Sequence, residues 1–180
     1  MLFQKHPAEG RTPVSRLATR SYVNQYPEGV KRNSVLLKRF PTLYPRLPRR
    51  RSTVYQDVAG IWTIGFGSCF DLRESRIGPD YPDITEEEGE GLLRREVHHV
   101  ESAIEKLIKA EITDNMHSAI GSFAYNCGTG ALQRSTFRQY INQGRYEDAS
   151  NELPRWCRAG GKKVAGLLRR RYAEREFFLS

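Results

Sequence analysis

Apolar residues recur at helical spacing through most of the second half of the chain. Leu93, Val97, Val100, Ile104 and the Leu107/Ile108 pair lie three or four apart and predict a helix over about 86–109. Thr85-Glu86-Glu87-Glu88 in front of it reads as a capping box, with acids in the first turn where the helix dipole favours them. Met116, Ile120, Phe123 and Cys127 form a second stripe, opened by Thr113 and closed by Gly128. Cys127 on that stripe reads as a core residue rather than a nucleophile, since free cysteine is among the most buried residue types. A short helix is expected from Ser135 or Thr136 through Phe137, Tyr140 and Ile141 to Gly144, and another over roughly 146–153, stopped by Pro154. Trp156 is expected as a core anchor and Ala159-Gly160-Gly161 as a flexible turn. A last amphipathic helix, about 164–178, carries Leu167, Leu168, Tyr172 and Phe177/Phe178. Its Arg169-Arg170-Arg171 run reads as a solvated face, with a polyanion contact as the second reading.

The period changes upstream. Tyr55–Gly67 reads Y-Q-D-V-A-G-I-W-T-I-G-F-G, which predicts a β-hairpin: turn chemistry at Asp57-Val58-Ala59-Gly60 and an aromatic and β-branched return strand, Ile61-Trp62-Thr63-Ile64. If Asp57 pairs with Ile61, Tyr55 pairs with Thr63. Asp57 and Thr63 then share one face as diagonal neighbours, within about 8 Å. A bulge would spoil that register. An acid beside a hydroxyl there could hold a water. Asp is also a common residue for starting a turn, and spacing alone does not separate the two readings. The sum is one small hairpin followed by about five helices, an α+β fold with helices dominant.

Residues 1–53 differ in character. Pro7, Pro13, Pro27 and scattered arginines predict irregular chain, and Val35-Leu36-Leu37 through Phe40 one or two helical turns within 34–40 that Pro41 would stop. Residues 41–51, P-T-L-Y-P-R-L-P-R-R-R, read as a linker or an extended insert. Charge follows the same division. Residues 1–54 hold 12 Lys/Arg and 2 Asp/Glu, whereas residues 55–180 hold 17 and 19, so the net +8 belongs to the N-terminal third. Such an arm would favour polyanions, or serve as a solubilising tail. Charge alone supports no nucleic-acid module, and no nucleic acid is expected as a partner. Three scattered cysteines, Cys69, Cys127 and Cys157, argue against a disulfide framework and against a zinc site. His98 and His99 are adjacent and lack the i, i+4 spacing of a helical metal pair. No metal or cofactor is expected. No apolar run reaches the roughly 18 residues of a bilayer span, and residues 1–30 show no signal-peptide pattern, so the chain is expected not to export itself.

From Val54 to Ser180 the sequence resembles the phage endolysins of the lysozyme type, glycoside hydrolase family 24. The resemblance rests on Y-Q-D-V-A-G-I-W-T-I-G-F-G (55–67), D-I-T-E-E-E (83–88) and G-L-L-R-R-E-V (91–97). It continues in S-F-A-Y-N-C-G-T-G-A-L-Q-R-S-T (122–136), R-W-C-R-A-G-G-K-K (155–163) and G-L-L-R-R-R-Y-A-E-R (166–175). It implies a lysozyme-like fold over 54–180, with a small β lobe and a helical C-terminal lobe. It also implies cleavage of the β-1,4 bond between N-acetylmuramic acid and N-acetylglucosamine in peptidoglycan, for host cell lysis. Access would come through a holin-type membrane lesion, from the host cytoplasm to the periplasmic wall, and the protein would work as a monomer. Basic residues in 155–175 would help hold anionic wall polymer.

The family uses a Glu as general acid, an Asp on the other side of the sugar ring and a Thr that positions water. The Asp maps onto Asp57 and the Thr onto Thr63. The Glu does not map: about nine residues before Asp57 stands Pro48, and Pro41-Thr42 occupies the place of Glu-Gly after the short helix. Glu9 and Glu28 are the glutamates upstream of Asp57, and Glu28, in Tyr26-Pro27-Glu28-Gly29, keeps the Glu-Gly pair. Ser68-Cys69 follows G-F-G where relatives usually carry His-Thr. Residues 1–53 are then a divergent arm on an impaired lysozyme, a misread frame or start joined to an intact remainder, or the carrier of a displaced Glu. The alternative function is a lysozyme-fold wall binder or prophage relic without turnover.

Overall fold

The computed structural model describes residues 51–57 and 59–180. The basic arm, the short helix expected over 34–40, the proline-rich stretch up to residue 50 and Glu28 lie outside the described residues, as does Val58.

The ribbon comes first. β1 (Arg51–Gln56) and β2 (Trp62–Gly65) pair antiparallel, with Tyr55 opposite Thr63 and Gln56 opposite Trp62. The register is broken between Arg51 and Tyr55, upstream of the turn, so the pairing next to Asp57 keeps its alternation. β1 begins earlier than the composition suggests: Arg51, grouped with the linker by sequence, and Ser52, grouped with the N-terminal arm, are strand, and the Ser52 carbonyl accepts from Ile84 N–H. Ile64, Ile77, Ile84 and Leu92 close a small core under the ribbon.

The capping box then opens α1 (Glu86–Leu107): the Thr85 hydroxyl accepts from Glu88 N–H and the Glu88 carboxylate from Thr85 N–H. α2 (Asp114–Cys127) is capped by Thr113 and ends at Gly128, whose φ of 90° favours glycine. α3 (Thr129–Arg134) follows at once, a turn of helix that the stripes did not reveal. α4 (Thr136–Asn142) starts on the Ser135 cap, and α5 (Tyr146–Glu152) runs into a 3₁₀ turn, Leu153–Arg155, through Pro154. A second two-stranded ribbon, β3 (Arg158–Ala159) with β4 (Lys162–Lys163), stands where a flexible turn was expected. α6 (Ala165–Leu179) closes the described chain.

α2 is the middle of the helical layer, packed on α1 on one side and α6 on the other. Phe123 is its central knob, edge-on to both Phe137 and Trp156, so Trp156 is the anchor expected of it. α6 departs from its expected stripe. Tyr172 is exposed, while Arg171 is 0% and Glu174 2% exposed. The solvated-face reading therefore holds for Arg169 alone; Arg170 is half-buried and Arg171 lies inside. Arg171 Nε pairs with Glu174 at 2.8 Å, its Nη2 donates to Asn126 Oδ1 and its Nη1 to Cys127 Sγ, and its guanidinium lies over the Phe123 ring. Arg170 Nε and the Ser122 hydroxyl donate to Glu174 Oε1. A hydrophobicity stripe cannot show this, because a buried ion pair occupies core positions with polar letters.

Removing one member of such a pair strands a charge in the interior. Glu174→Ala is expected to cost about 3–5 kcal/mol of unfolding free energy, read by urea denaturation. Burial also holds the His117 imidazole below the ordinary histidine range, against the opposing charges of Glu101, Asp114 and Glu105. A depressed histidine must take up a proton on unfolding, so its share of stability is full above about pH 6.5 and falls as pH drops below that value. His117→Gln is expected to flatten the loss of thermal stability between about pH 6.5 and pH 5.

Candidate active site

Asp57 ends β1 and its carboxylate organises the turn. Oδ1 accepts from the N–H groups of Ala59 and Ile61, both at 2.8 Å, while its backbone N–H donates to the Ile61 carbonyl and its carbonyl accepts from Gly60 N–H. Gly60 sits at φ 76°, the left-handed region this reversal needs. The turn reading of Asp57 is therefore correct for one carboxylate oxygen. Oδ2 has no partner among the described residues, and the side chain is half-buried rather than shielded.

Thr63 lies across the ribbon. The Tyr55–Thr63 pairing and the Asp57–Ile61 hydrogen bond put Asp57 and Thr63 on one face. Thr63 is 4% exposed, and its hydroxyl donates to the Tyr55 carbonyl at 3.1 Å. A hydroxyl has one proton, so Thr63 keeps its lone pairs to accept from another donor.

Three features of the surroundings were not read from sequence. The Tyr125 hydroxyl, off the apolar stripe of α2, donates to the Phe66 carbonyl at 3.1 Å and ties the helical layer to the turn after β2. Arg95 of α1 holds the following loop by its carbonyls at Phe70 and Asp71 and pairs with Glu96 at 2.9 Å. Ser68 is buried, with its hydroxyl unpartnered among the described residues. Neighbouring Cys69 has its thiol pushed up by burial first, then by the charges of Glu96 and, more weakly, Asp57, with Arg76 opposing. Cys127 is pushed up by burial, which outweighs Arg171 beside it. Both stay thiols at neutral pH, which argues against either as a nucleophile. Glu28 lies outside the described residues, so the ribbon brings together Asp57 and Thr63 without it.

The phage lysozyme family model matches residues 49–174. The chain belongs to the phage lysozyme family. An endolysin of Bacillus phage B103 is 40% identical over 120 residues, which are 66% of this chain and 43% of that relative, so the chain spans less than half its length. The SAR-endolysin of Enterobacteria phage P21 is 37% identical over 125 residues, 69% of this chain and 73% of that one. The endolysin from Escherichia coli O157:H7 phage FAHEc1 has a similar structure, with a TM-score of 0.67 at 28% identity, covering 86% of this chain and 97% of that one. The phage lysozyme fold expected from the motifs is thus the fold found, mostly helical with small antiparallel sheets.

Asparagine can accept the same two N–H donors through its Oδ1. Asp57→Asn is expected to keep thermal stability close to the parent, whereas Asp57→Ala, which frees two backbone donors, costs about 1–3 kcal/mol. Denaturation curves of the three proteins side by side check this.

Proposed function

We propose that this chain carries the wall-cutting activity of an endolysin, hydrolysing the β-1,4 bond between N-acetylmuramic acid and N-acetylglucosamine in peptidoglycan. Its partner is the glycan strand. The observation that carries the reading is that Asp57, whose Oδ2 has no partner among the described residues, shares a ribbon face with Thr63, whose hydroxyl proton is given to Tyr55. A water donating one proton to Asp57 Oδ2 and one to Thr63 Oγ1 presents its lone pair outward. That is how a carboxylate activates water on one side of a sugar ring while an acid protonates the leaving oxygen on the other. Glu28, which keeps the Glu-Gly pair, is the residue proposed to supply that proton. We place the protein in the host cytoplasm until a holin-type lesion opens the way to the periplasmic wall, and we take it to act as a monomer. No helix among the described residues is long and apolar enough to cross a membrane.

A second reading, a wall binder without turnover, is favoured by Pro48 standing where the family has its Glu. Turbidity clearing of chloroform-permeabilised Gram-negative cells separates the two. The parent is expected to clear, and Asp57→Asn to lose about 10²–10⁴-fold in rate. Glu28→Gln is expected to fall by a similar factor; an unchanged rate discards Glu28 alone. A parent that does not clear replaces the enzyme by the binder.

A further inference from the structure

The second ribbon is charged in a way its fold does not require. In β3–β4, Arg158 stands directly opposite Lys163, with Lys162 beside it opposite Ala159. All three are exposed, and like charges directly opposite on a ribbon are destabilising. None of them, nor exposed Arg169, forms an ion pair with another described residue. Other exposed cations of the described chain do find an acid: Arg94 pairs with Glu90, Arg145 with Asp148 and Arg155 with Glu152. Arg158 Nη1 donates to the Gly161 carbonyl, which stands the guanidinium against the tip of the ribbon. Gly160 and Gly161, at φ 55° and 77°, make that tip, and apart from their chain neighbours no atom of the described residues lies within 4 Å of where their Cβ atoms would be. The ribbon is therefore a small, bare, cationic shelf.

Its position follows from helix direction. Asn115 meets Ser180, Ser122 meets Glu174, and Asn126 and Cys127 meet Arg171, so α2 and α6 run antiparallel. The start of α6, and the ribbon just before it, therefore lie toward the end of α2 from which Tyr125 reaches Phe66 and the first ribbon. Charge is polarised to match. Residues 83–114, which include α1, hold ten acids and four bases, whereas residues 154–180 hold eight bases and two acids. α2 separates the two.

We propose that the β3–β4 ribbon, through Lys162, Lys163 and Arg158, is a docking surface for the carboxylates of the stem peptides that hang from the glycan strand. The proposal rests on peptidoglycan being the substrate. Lysines suit the task as mobile point charges that follow a flexible carboxylate, where a fixed fork would demand one geometry. The segment 158–163 contains no aromatic residue, which single-stranded nucleic acid would use for stacking. The stem peptide is then gripped at the β-lobe end of the helical layer, on the same strand of wall that the water held by Asp57 attacks.

The test is cosedimentation of the full chain carrying Asp57→Asn, which holds the wall without cutting it, with purified sacculi. Sacculi are used native and after carbodiimide amidation of their carboxylates. Lys162→Gln/Lys163→Gln is expected to lower the bound fraction on native sacculi by about threefold at low salt, with the difference shrinking at about 0.15 M salt. Lys162→Arg/Lys163→Arg is expected to restore binding. On amidated sacculi the parent is expected to fall to the level of the glutamine variant. Equal binding of native and amidated sacculi overturns the proposal, whatever the variants do. So does a glutamine variant that binds native sacculi as the parent does, including the case in which it has lost only DNA retention in a gel shift. Because cutting is silenced throughout, failure of the parent to clear cells would strike the muramidase reading and leave this result standing.

Discussion

The close approach of Gly65 to α1 is the constraint on which the arrangement of the two lobes depends. Gly65 sits at φ 64°, where a side chain is strained, and the place a Cβ would take lies at van der Waals distance from Ile84, Leu92 and the Cα of Gly89. Gly65 on the ribbon and Gly89 on the first turn of α1 face each other across this contact. Thr63 is two residues before this contact, and Phe66, which accepts from Tyr125, is one residue after it. Whatever positions Gly65 therefore positions the face that carries Thr63 and Asp57. Ile64, Ile77, Ile84 and Leu92, with Val54, Trp62, Leu72 and Tyr81 packed against them, hold the ribbon at this contact.

Much of this was legible in the sequence, for physical reasons that differ by element. Thr85, Glu88, Thr113 and Ser135 announced helix starts because capping is local: each side chain satisfies a donor two or three residues away. The pairing of Tyr55 with Thr63 was legible because a short turn fixes register. What sequence patterns missed was set at long range. Arg171 looked like a surface residue because nothing near it in sequence reveals Ser122, Asn126 and Cys127, which come from a helix some fifty residues earlier. Tyr125 was passed over because its partner, the Phe66 carbonyl, is a backbone atom and leaves no letter in the sequence. Local spacing favoured a turn role for Asp57, and it was the family resemblance that singled out Asp57 and Thr63 as site candidates.

Asp57 illustrates how a turn can fix a carboxylate through only one of its oxygens. Its two oxygens are divided: Oδ1 is consumed by the turn, and Oδ2 has no partner among the described residues. A carboxylate held in this way needs no reorganisation when charge develops nearby, which is the condition under which electrostatic stabilisation is most effective. Thr63 is divided likewise, its proton spent on Tyr55 and its lone pairs kept. The ribbon supplies orientation, and the helices supply the stiffness behind it.

The burial of α6 has a consequence for the order of events during synthesis. Phe178 completes the aromatic packing around Phe137 and Tyr146, and Glu174 neutralises Arg171 beneath the end of α2. Both come from the last of the described elements to leave the ribosome. Until it docks, Phe123 and Phe137 have no lid, and the nascent helices form an open, sticky surface of the kind chaperones hold. The first ribbon is thus made early, and the lobe behind it becomes rigid only once translation has passed Phe178.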